Sequence, residues 1–376
     1  MNTRHWTYRI ANHDWILILL STVLLSTGWR FIHGSAERMG GRFEDYGTRQ
    51  LVWIGIGVVA FVVLSWMDYR ALAPWAWLLF VAANAGLVAV LAFGREVNGS
   101  RSWLPLAGIS FQPAEFAKPA VLLFLAWLAS RPFFRIGRLD YLAAFAAALA
   151  VPLLLIATQP DWGTALAFVP PALAIAFLAG LPWRCLIAGA VLVVLAGPLA
   201  YRFVLEEHQR ERVLTFLKPS EDISDAGYNA HQAVLAVGSG GVNGKGYRHG
   251  DMYVLGFLPR TVAPTDFIMA IIGEETGFIG AAVPIAAFAG LIICCLCNAA
   301  AAPDRFGAYL CGAVAALLFF HAFVNIGMAV QAAPIIGIPL PLVSYGGSFL
   351  VATLACLGLV NSVHAHREST TGDFAE

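Results

Sequence analysis

Asp266 stands at the entrance of a long apolar segment, LGFLPRTVAPTDFIMAIIGEETGFIG. Pro264 and Thr265 precede it, a pattern typical of a helix start, where the positive end of the helix dipole favours an ionised carboxylate. Partial burial acts in the opposite direction, and a general base works best when it is ionised yet still basic. Because an acid at membrane depth costs roughly 2.5–3.5 kcal/mol, its presence indicates a function. Asp266 is therefore the predicted catalytic base.

Two further acids, Glu274 and Glu275, follow in the same segment and are flanked by Gly273 and Gly277. They lie beyond the first turns of the predicted helix, where acids are costly and glycines weaken the helix. We interpret them as a polar break that shapes the helix rather than as direct participants in chemistry.

An acid and a base lie three residues apart in the stretch NGSRSWLPLAGISFQPAEFAKP. Pro113 can open a helix there, and the spacing places Glu115 and Lys118 on one face. Two interpretations stay open: a buried ion pair that orders two helices, or the lining of a polar cavity in which Lys118 holds an anionic group. Arg101 and Trp103, just before, could bind a phosphate and a sugar, or could be interfacial residues without a ligand.

Asp161, in the sequence TQPDWGTA, precedes another helical run. An N-cap is the commoner role for an aspartate at such a position. Because it is predicted to face the same side as Arg101 and Asp266, it could equally assist the binding of a hydroxyl or a divalent cation. Both roles stay open.

Two further segments are rich in glycine. One contains Lys245 and Arg248 in GSGGVNGKGYRHGD, a composition able to fold backbone N–H groups around an anion, although a flexible surface loop has the same composition. The other contains Ser344 in AAPIIGIPLPLVSYGGS, between two apolar runs. Irregular backbone at membrane depth is tolerated only against protein or a water-filled cavity, so this segment is predicted to border one, with a plain connecting turn as the alternative.

Composition places these residues in a membrane protein. Of 376 residues, 59% are hydrophobic and only 12% are charged, about half the charged fraction of a typical soluble domain. The 23 basic and 23 acidic residues cancel, so no overall field predicts a nucleic-acid partner. The six cysteines lie in apolar runs, which predicts neither a disulfide nor a structural metal site.

A helix needs about 20 predominantly apolar residues to cross a bilayer, and roughly ten segments meet this length. They are continuous rather than alternating, which favours helices over a closed β-barrel. The predicted fold is an all-α polytopic membrane protein of about ten transmembrane helices, a single domain over residues 1–376 with one long extracytoplasmic loop at about 206–265. The spans are placed at 14–33, 51–68, 74–93, 113–131, 140–158, 162–180, 185–205, 266–297, 306–330 and 346–364.

An even number of spans places both termini on one side, and basic residues in short loops indicate that this side is cytoplasmic. The N-terminal basic stretch precedes about 20 apolar residues without a clear cleavage site, which predicts a retained first span. The predicted cytoplasmic basic residues are Arg4, Arg9, Arg70, Arg131, Arg135, Arg138, Arg184, Arg305 and Arg367. The predicted short outer loops hold Arg38, Arg42, Arg49, Arg95 and Arg101.

Taken together, these motifs resemble the SEDS family (shape, elongation, division and sporulation) of polytopic peptidoglycan glycosyltransferases. The resemblance covers about residues 49–348 in the family's order, and its last motif is closer to the elongation members than to the division members. The matching stretches are RQLVWIGIG, NGSRSWLPLAGISFQPAEFAKP, QPDWGTA, HQAVLAVGSGGVNGKG, TDFIMAIIGEETGFIG and GIPLPLVSYGGS.

The resemblance implies polymerisation of lipid II, the undecaprenyl-pyrophosphate-linked disaccharide-peptide, on the outer face of the bacterial cytoplasmic (inner) membrane. It also implies a class B penicillin-binding protein as the partner that crosslinks the strands. The family's essential aspartate falls on Asp266, and its paired acid and base fall on Glu115 and Lys118. The full set of predicted substrate-binding residues is Arg49, Arg101, Gln112, Glu115, Lys118, Asp161, Lys245, Arg248 and Ser344.

Four positions depart from the family's pattern. Arg260 and Pro264 stand where family members often have Glu and His, and Ala233 and Trp162 replace Ser and Leu. The first two lie beside Asp266, so they are expected to affect its basicity or the shape of the entrance more than the presence of activity.

In the predicted reaction, Asp266 takes the proton of the acceptor 4-hydroxyl while lipid pyrophosphate departs, and a single displacement inverts the donor carbon. A divalent cation is a candidate cofactor, and charge on the pyrophosphate would be offset by one of four cations, Arg101, Lys118, Lys245 and Arg248. A flippase or other transporter of lipid-linked precursors is the alternative, although the first half holds no second copy of the Asp266 segment. A catalytically silent scaffold is the third possibility.

Overall fold

The computed structural model describes residues 12–97, 100–106, 109–203, 210 and 225–367. Arg4, Arg9 and part of the predicted long loop, 206–209 and 211–224, lie outside the described residues. The helices of the described part are α1 (Trp15–Met39), α2 (Tyr46–Trp66), α3 (Ala76–Phe93), α4 (Pro113–Ser130), α5 (Leu139–Ala157), α6 (Trp162–Leu166), α7 (Val169–Leu178), α8 (Trp183–Phe203), α9 (Asp225–Gly240), α10 (Ile268–Ala300), α11 (Arg305–Ala329) and α12 (Gly347–Ala365).

In this part of the chain, eight helical segments are long and apolar enough to cross a membrane. They are α1, α2, α4, α5, α10, α11, α12 and Tyr69–Phe93, in which a 3-10 helix leads into α3. The two other predicted spans overlap shorter apolar segments, Trp162–Leu178 and Trp183–Leu192. Each of the ten predicted spans overlaps a helix, and the predicted polytopic helical membrane fold is confirmed.

Two elements outside the spans are not predicted by hydropathy. One is an antiparallel sheet of three short strands, β1 (Arg95–Val97), β2 (Ser100–Leu106) and β3 (Ile109–Phe111), with β2 in the middle. The other is α9, which lies within the predicted loop. Both are short and partly polar, so neither has the run of about 20 apolar residues that identifies a membrane span.

Three helices form the centre of the bundle, because α4, α11 and α12 are mostly buried within the protein. α2 packs along α12, where Gly57 lies against the Leu354 side chain and Gly358 against Phe61. Small residues allow such close approach where lipid supplies no hydrophobic drive between helices. The outer helices expose apolar side chains, as lipid contact allows; on α2 these include Val52, Ile56, Val59 and Val63.

Polar side chains gather at the two ends of the bundle. At one end, the Asp14 N–H donates to Asn361 Oδ1 at 2.8 Å, and Asn298 donates to Asp14 Oδ2 at 2.7 Å, which joins α1 to the ends of α10 and α12. Arg70 Nε donates to Asp304 at 2.9 Å beside the start of α11. The predicted catalytic aspartate lies at the opposite end, where α10 begins.

Candidate functional site

Asp266 lies in a turn that leads directly into α10. Its backbone N–H donates to the Val262 carbonyl at 2.9 Å, and α10 begins at Ile268, as the Pro–Thr–Asp pattern predicts. The side chain is half-buried. Its Oδ2 atom faces Gly337, where an added Cβ would lie 3.5 Å away. The carboxylate thus has one edge against protein backbone.

The predicted irregular segment, residues 332–348, is non-helical up to residue 346 and covers this turn. Tyr345 N–H donates to the Pro264 carbonyl at 2.9 Å, and the Ser344 hydroxyl donates to the Thr265 carbonyl. The same hydroxyl accepts from Leu340 N–H at 2.8 Å, and Ser344 is 1% exposed. The hydroxyl of Ser344 therefore supports the turn, and its predicted contact with substrate stays a prediction.

Sequence reasoning missed three buried polar residues that hold the same segment. Gln50 on α2 donates to the Ser344 carbonyl at 3.3 Å. Asn325 and His321 on α11 contact the carbonyls of residues 338 and 339. An amide or imidazole within an apolar span is itself a signal, because polar groups at membrane depth usually mark a functional site.

Arg49 lies at the rim of the site. Its guanidinium is exposed and pairs with Asp45 at 3.5 Å, one turn earlier on the chain. Tyr46 stacks on Tyr345 with ring centroids 4.1 Å apart, which places this part of α2 beside the segment that covers the Asp266 turn.

The predicted pairing of Glu115 and Lys118 is confirmed. Lys118 Nζ lies 2.9 Å from both carboxylate oxygens of Glu115, and each residue is 3% exposed. Lys118 Nζ also lies 5.2 Å from the centre of the Phe349 ring on α12. The pair lies within α4 with its ammonium group beside α12, and both of its predicted roles, ordering two helices or contact with an anionic substrate group, stay predictions.

Asp161 caps α6, as its sequence context predicts. Its Oδ1 accepts from Thr164 N–H at 3.1 Å, and its Oδ2 accepts from the Gln112 side chain at 3.3 Å. The Gln112 N–H in turn donates to the Ser348 hydroxyl at 3.2 Å. These bonds join the starts of α4, α6 and α12, and the predicted role of Asp161 toward a ligand stays a prediction.

Residues 336–338 connect the two halves of the site. A Cβ added at Gly163, two residues after Asp161, would lie 2.9 Å from the Ile336 carbonyl. Gly337 has a φ of 74°, a conformation that favours glycine, and faces Asp266. Asp266 and the start of the helix that Asp161 caps therefore both lie beside one short segment, at one end of the bundle.

Arg101 lies on the sheet beside these residues. Its neighbour Ser100 donates to the Gln159 carbonyl at 2.9 Å, and Gln159 donates to the Leu87 carbonyl at 3.1 Å. The first bond ties β2 to the turn that carries Asp161, and the second ties this turn to α3. The Arg101 side chain is exposed and makes no ion pair within the described part of the chain.

Lys245 and Arg248 each contact a carboxylate. Lys245 Nζ lies 2.6 Å from Glu274 Oε1, and the Arg248 guanidinium pairs with Glu37 at the end of α1. Arg248 N–H donates to Glu275 Oε2 at 2.9 Å. The predicted contact of these two cations with a substrate anion stays a prediction.

The glycine-rich segment folds around the two buried glutamates of α10. Asp251 N–H donates to Glu274 at 2.8 Å, and the Tyr253 hydroxyl donates to Glu275 at 2.6 Å. Burial, and then the neighbouring Glu275 carboxylate, raise the pKa of Tyr253, which keeps this donor protonated. α10 departs from helical geometry at Gly277, with φ 64° and ψ −164°. The predicted polar break is confirmed, and backbone N–H groups of the segment surround carboxylates of the protein itself.

Metal binding is not indicated by a ligand cluster. Within the residues described, no group of three or more His, Cys, Asp or Glu side chains is placed to hold a metal ion. A divalent cation bound together with substrate therefore stays a prediction of the sequence.

These features define a class of protein: a polytopic helical membrane protein with a polar site around an aspartate at one end of the bundle. A family model described as "Cell cycle protein", which covers the FtsW, RodA and SpoVE proteins, matches residues 14–369. The chain belongs to this family, and the predicted resemblance is confirmed.

Named relatives are similar over most of the chain. The peptidoglycan glycosyltransferase MrdB of Escherichia coli (strain K12) is 39% identical over 331 residues, which cover 86% of this chain and 88% of the relative. The peptidoglycan glycosyltransferase RodA of Treponema pallidum (strain Nichols) is 29% identical over an alignment of 435 positions, which covers 95% of this chain and 99% of the relative.

Solved structures share the fold. A chain from the work "Structural coordination of polymerization and crosslinking by a peptidoglycan synthase complex" matches with a TM-score of 0.80 and 33% identity, covering 95% of this chain and 98% of that chain. The crystal structure of the Thermus thermophilus rod shape determining protein RodA matches with a TM-score of 0.70 and 29% identity, with the same coverage.

Proposed function

We propose that this protein is a peptidoglycan glycosyltransferase that polymerises lipid II into glycan strands during elongation of the bacterial cell. Membership of the family and the named activity of its relatives support this reaction class. The structural observation that carries the proposal is the half-buried Asp266 carboxylate, fixed at the start of α10 beside Gly337.

In the proposed step, Asp266 removes the proton from the 4-hydroxyl of the acceptor GlcNAc. The acceptor oxygen forms a bond to the anomeric carbon of the donor, while the bond from that carbon to the pyrophosphate oxygen breaks. The bonding electrons leave with the undecaprenyl pyrophosphate, and the proton stays on the carboxylate until solvent takes it. One displacement inverts the donor carbon.

Arg101 is the cation best suited to the departing pyrophosphate. Lys118, Lys245 and Arg248 each hold a carboxylate at hydrogen-bond distance and would have to exchange partners. Arg101 is exposed beside the Asp161 turn, so it can approach the leaving group without breaking an ion pair. The undecaprenyl tails of both substrates would lie along the apolar outer helices.

The site is proposed to face the outer side of the cytoplasmic membrane, with both termini in the cytoplasm. Asp14 and His364, near the two ends of the described chain, lie 3.7 Å apart between Oδ2 and Nδ1, at the end of the bundle opposite Asp266. This agrees with an even number of spans and with the arginine-rich short loops on that side. One domain over residues 1–376 with the long loop outside is part of this proposal.

A class B penicillin-binding protein is the proposed partner. One similar solved chain comes from a peptidoglycan synthase complex that couples polymerization and crosslinking. A polymerase that delivers strands to a transpeptidase at its side would give the same coupling here.

The deciding experiment supplies labelled lipid II to the purified protein, alone and with its penicillin-binding partner. Wild type is expected to form glycan chains, and Asp266→Asn is expected to lower the rate at least about 100-fold, since the base is lost with little change of shape. Polymer formed at the wild-type rate by the variant would overturn the assignment of the base. Translocation of lipid II across vesicles without polymer would instead indicate a transporter.

A further inference from the structure

Two buried polar side chains of α11 take no direct part in the proposed proton transfer or displacement. His321 is 1% exposed and Asn325 is 0% exposed. They lie four residues apart, so both project from one face of the helix. That face meets the Asp266 turn and the residues 338–339 that lie beside it.

Asn325 joins the catalytic turn to the facing segment. Its side-chain N–H groups donate to the carbonyl of Asp266 at 2.9 Å and to the carbonyl of Ile338 at 2.8 Å. Ile338 directly follows Gly337, which faces the Asp266 carboxylate. A single amide group therefore fixes the separation between the peptide of Asp266 and the backbone against which its carboxylate lies.

His321 holds the next residue of the same segment. Its Nδ1 lies 3.2 Å from the Pro339 carbonyl, and a carbonyl can only accept, so Nδ1 carries the proton. Its ring lies 4.9 Å from the ring of Phe349, and the ammonium of Lys118 contacts the same ring. His321 thus connects the facing segment to the side of the site that holds the Glu115–Lys118 pair.

Each of the two side chains also has a second polar atom that takes no part in these bonds. Within the described residues, Asn325 Oδ1 and His321 Nε2 are buried without a hydrogen-bond partner. A buried polar atom without a partner destabilises the fold, a cost that an apolar side chain of similar size would avoid. Donation to the three backbone carbonyls is the contribution that offsets this cost.

We propose that Asn325 and His321 are positioning residues for the reaction, and that they orient the Asp266 carboxylate by holding the backbone on both sides of it. The proposal rests on the proposed function of Asp266 as the base. Asn325 sets the Asp266 peptide, and His321 keeps the Gly337 backbone at the carboxylate edge. A base displaced by about 1 Å loses rate while substrate binding is retained.

Two substitutions of Asn325 test the amide. Asn325→Asp keeps the shape and removes the NH₂ donor, and Asn325→Leu removes both polar groups at similar size. Both are expected to lower kcat for lipid II polymerisation by about 10- to 100-fold with KM within about threefold of wild type. A structural role alone would reduce the amount of folded protein and leave kcat per folded molecule unchanged.

Two substitutions of His321 give a second and milder test. The amide nitrogen of Asn can occupy the position of Nδ1, whereas that of Gln reaches toward the position of Nε2. His321→Asn is therefore expected to retain kcat within about threefold, and His321→Gln to lose about 10-fold. Equal rates in the two variants would overturn the role of His321. If the Asn325 variants do not fold, the two His321 variants alone test the proposal.

Asn361→Leu is the matched control, because Asn361 is 1% exposed and bonds the Asp14 backbone at the opposite end of the bundle. It is expected to lower Tm and to leave kcat unchanged. The positioning role can fail while the proposed function stands. This is the case if wild type forms polymer, Asp266→Asn does not, and both folded Asn325 variants keep the kcat of wild type.

A measurement without substrate separates the two proposals. Hydrogen–deuterium exchange of residues 262–268 and 336–346 is expected to become at least about 10-fold faster in Asn325→Leu than in wild type, and to stay unchanged in Asn361→Leu. If wild type forms no polymer, the proposed function fails, and exchange alone decides: unchanged protection of both segments would overturn the inference.

Discussion

Single residues of the site differ in how much of their hydrogen-bonding capacity the fold already uses. Ser344 and Asp161 each contact two protein groups, whereas the Arg101 side chain is exposed and makes no ion pair in the described ranges. A group already bonded within the protein must exchange partners to bind substrate, which costs free energy. A side chain that makes no ion pair in the described ranges, such as Arg101, is therefore the better candidate for direct contact with the pyrophosphate.

Arg101→Gln is expected to lower polymerisation of lipid II at least about 10-fold, because one charged contact to a leaving pyrophosphate is lost. Arg95→Gln is the matched control, since Arg95 is an exposed arginine on the neighbouring strand of the same sheet. Initial rates at saturating lipid II measure both. Equal losses in the two variants would mean that general surface charge, and not Arg101 itself, is responsible.

Two substitutions separate the role of Asp161 as a helix cap from the role of its negative charge. Asn caps a helix about as well as Asp, so Asp161→Asn is expected to keep the Tm of wild type, whereas Asp161→Ala should lose about 1 kcal/mol of stability. If the charge of Asp161 contacts substrate, Asp161→Asn also loses polymerisation at least about 10-fold. Full activity in Asp161→Asn would leave the residue with the cap alone.

At the scale of elements, the long helix α10 serves two segments at once. Its first residues follow the Asp266 turn, and its two buried glutamates hold the glycine-rich segment 240–253 just before the kink at Gly277. The positions of the glycine-rich segment and of Asp266 are therefore linked through the first two turns of α10. The 3-residue connection at 336–338 provides the corresponding link to α6 and α11.

The bond between Lys245 and Glu274 is expected to contribute more than the pair on the surface beside it. Glu274 is fully buried, whereas Arg248 and Glu37 are both well exposed. A double-mutant cycle with Lys245→Met and Glu274→Gln should give a coupling of about 0.5–3 kcal/mol in thermal unfolding. The matched cycle at Arg248 and Glu37 should give a clearly smaller value. A larger coupling at the exposed pair would contradict this order.

At the scale of the whole molecule, polar networks close both ends of an apolar bundle. The network around Asp14 joins three helices at one end. At the other end, the bonds of Gln112 and Asp161 join the starts of α4, α6 and α12, and Asn325 joins the Asp266 turn to α11. Lipid cannot satisfy exposed polar groups, so each network must be complete within the protein or reach water. At the end that holds the candidate site, the exposed Arg101 lies beside the turn of Asp161 and is available to a charged substrate.

Topology can be tested on exposed arginines at the two ends. Arg101→Cys is expected to react with a membrane-impermeant maleimide in intact spheroplasts, and Arg138→Cys only after the membrane is opened. Both side chains are exposed in the structure, so access differs by membrane side alone. Wild type controls for the exposed native thiols of Cys185 and Cys297. The reverse labelling pattern would refute an outer active site.

Features that depend on composition or on near neighbours along the chain follow from the sequence alone. Continuous apolar runs locate the spans, because about 20 residues must cross the hydrocarbon. The spacing of Glu115 and Lys118 brings them together on one helix, and Asp161 caps the helix that follows it. Each of these contacts lies within four residues, so the helix geometry alone produces it.

Contacts between distant residues depend instead on how the whole bundle packs. Asn325 lies 59 residues from Asp266, and Lys245 lies 29 residues from Glu274. Helices in lipid are apolar on nearly every face, so the sequence pattern does not show which face turns inward; close packing and buried hydrogen bonds fix that choice. The partner of a buried polar group therefore depends on helix rotation and register, and these are set only when the whole bundle packs.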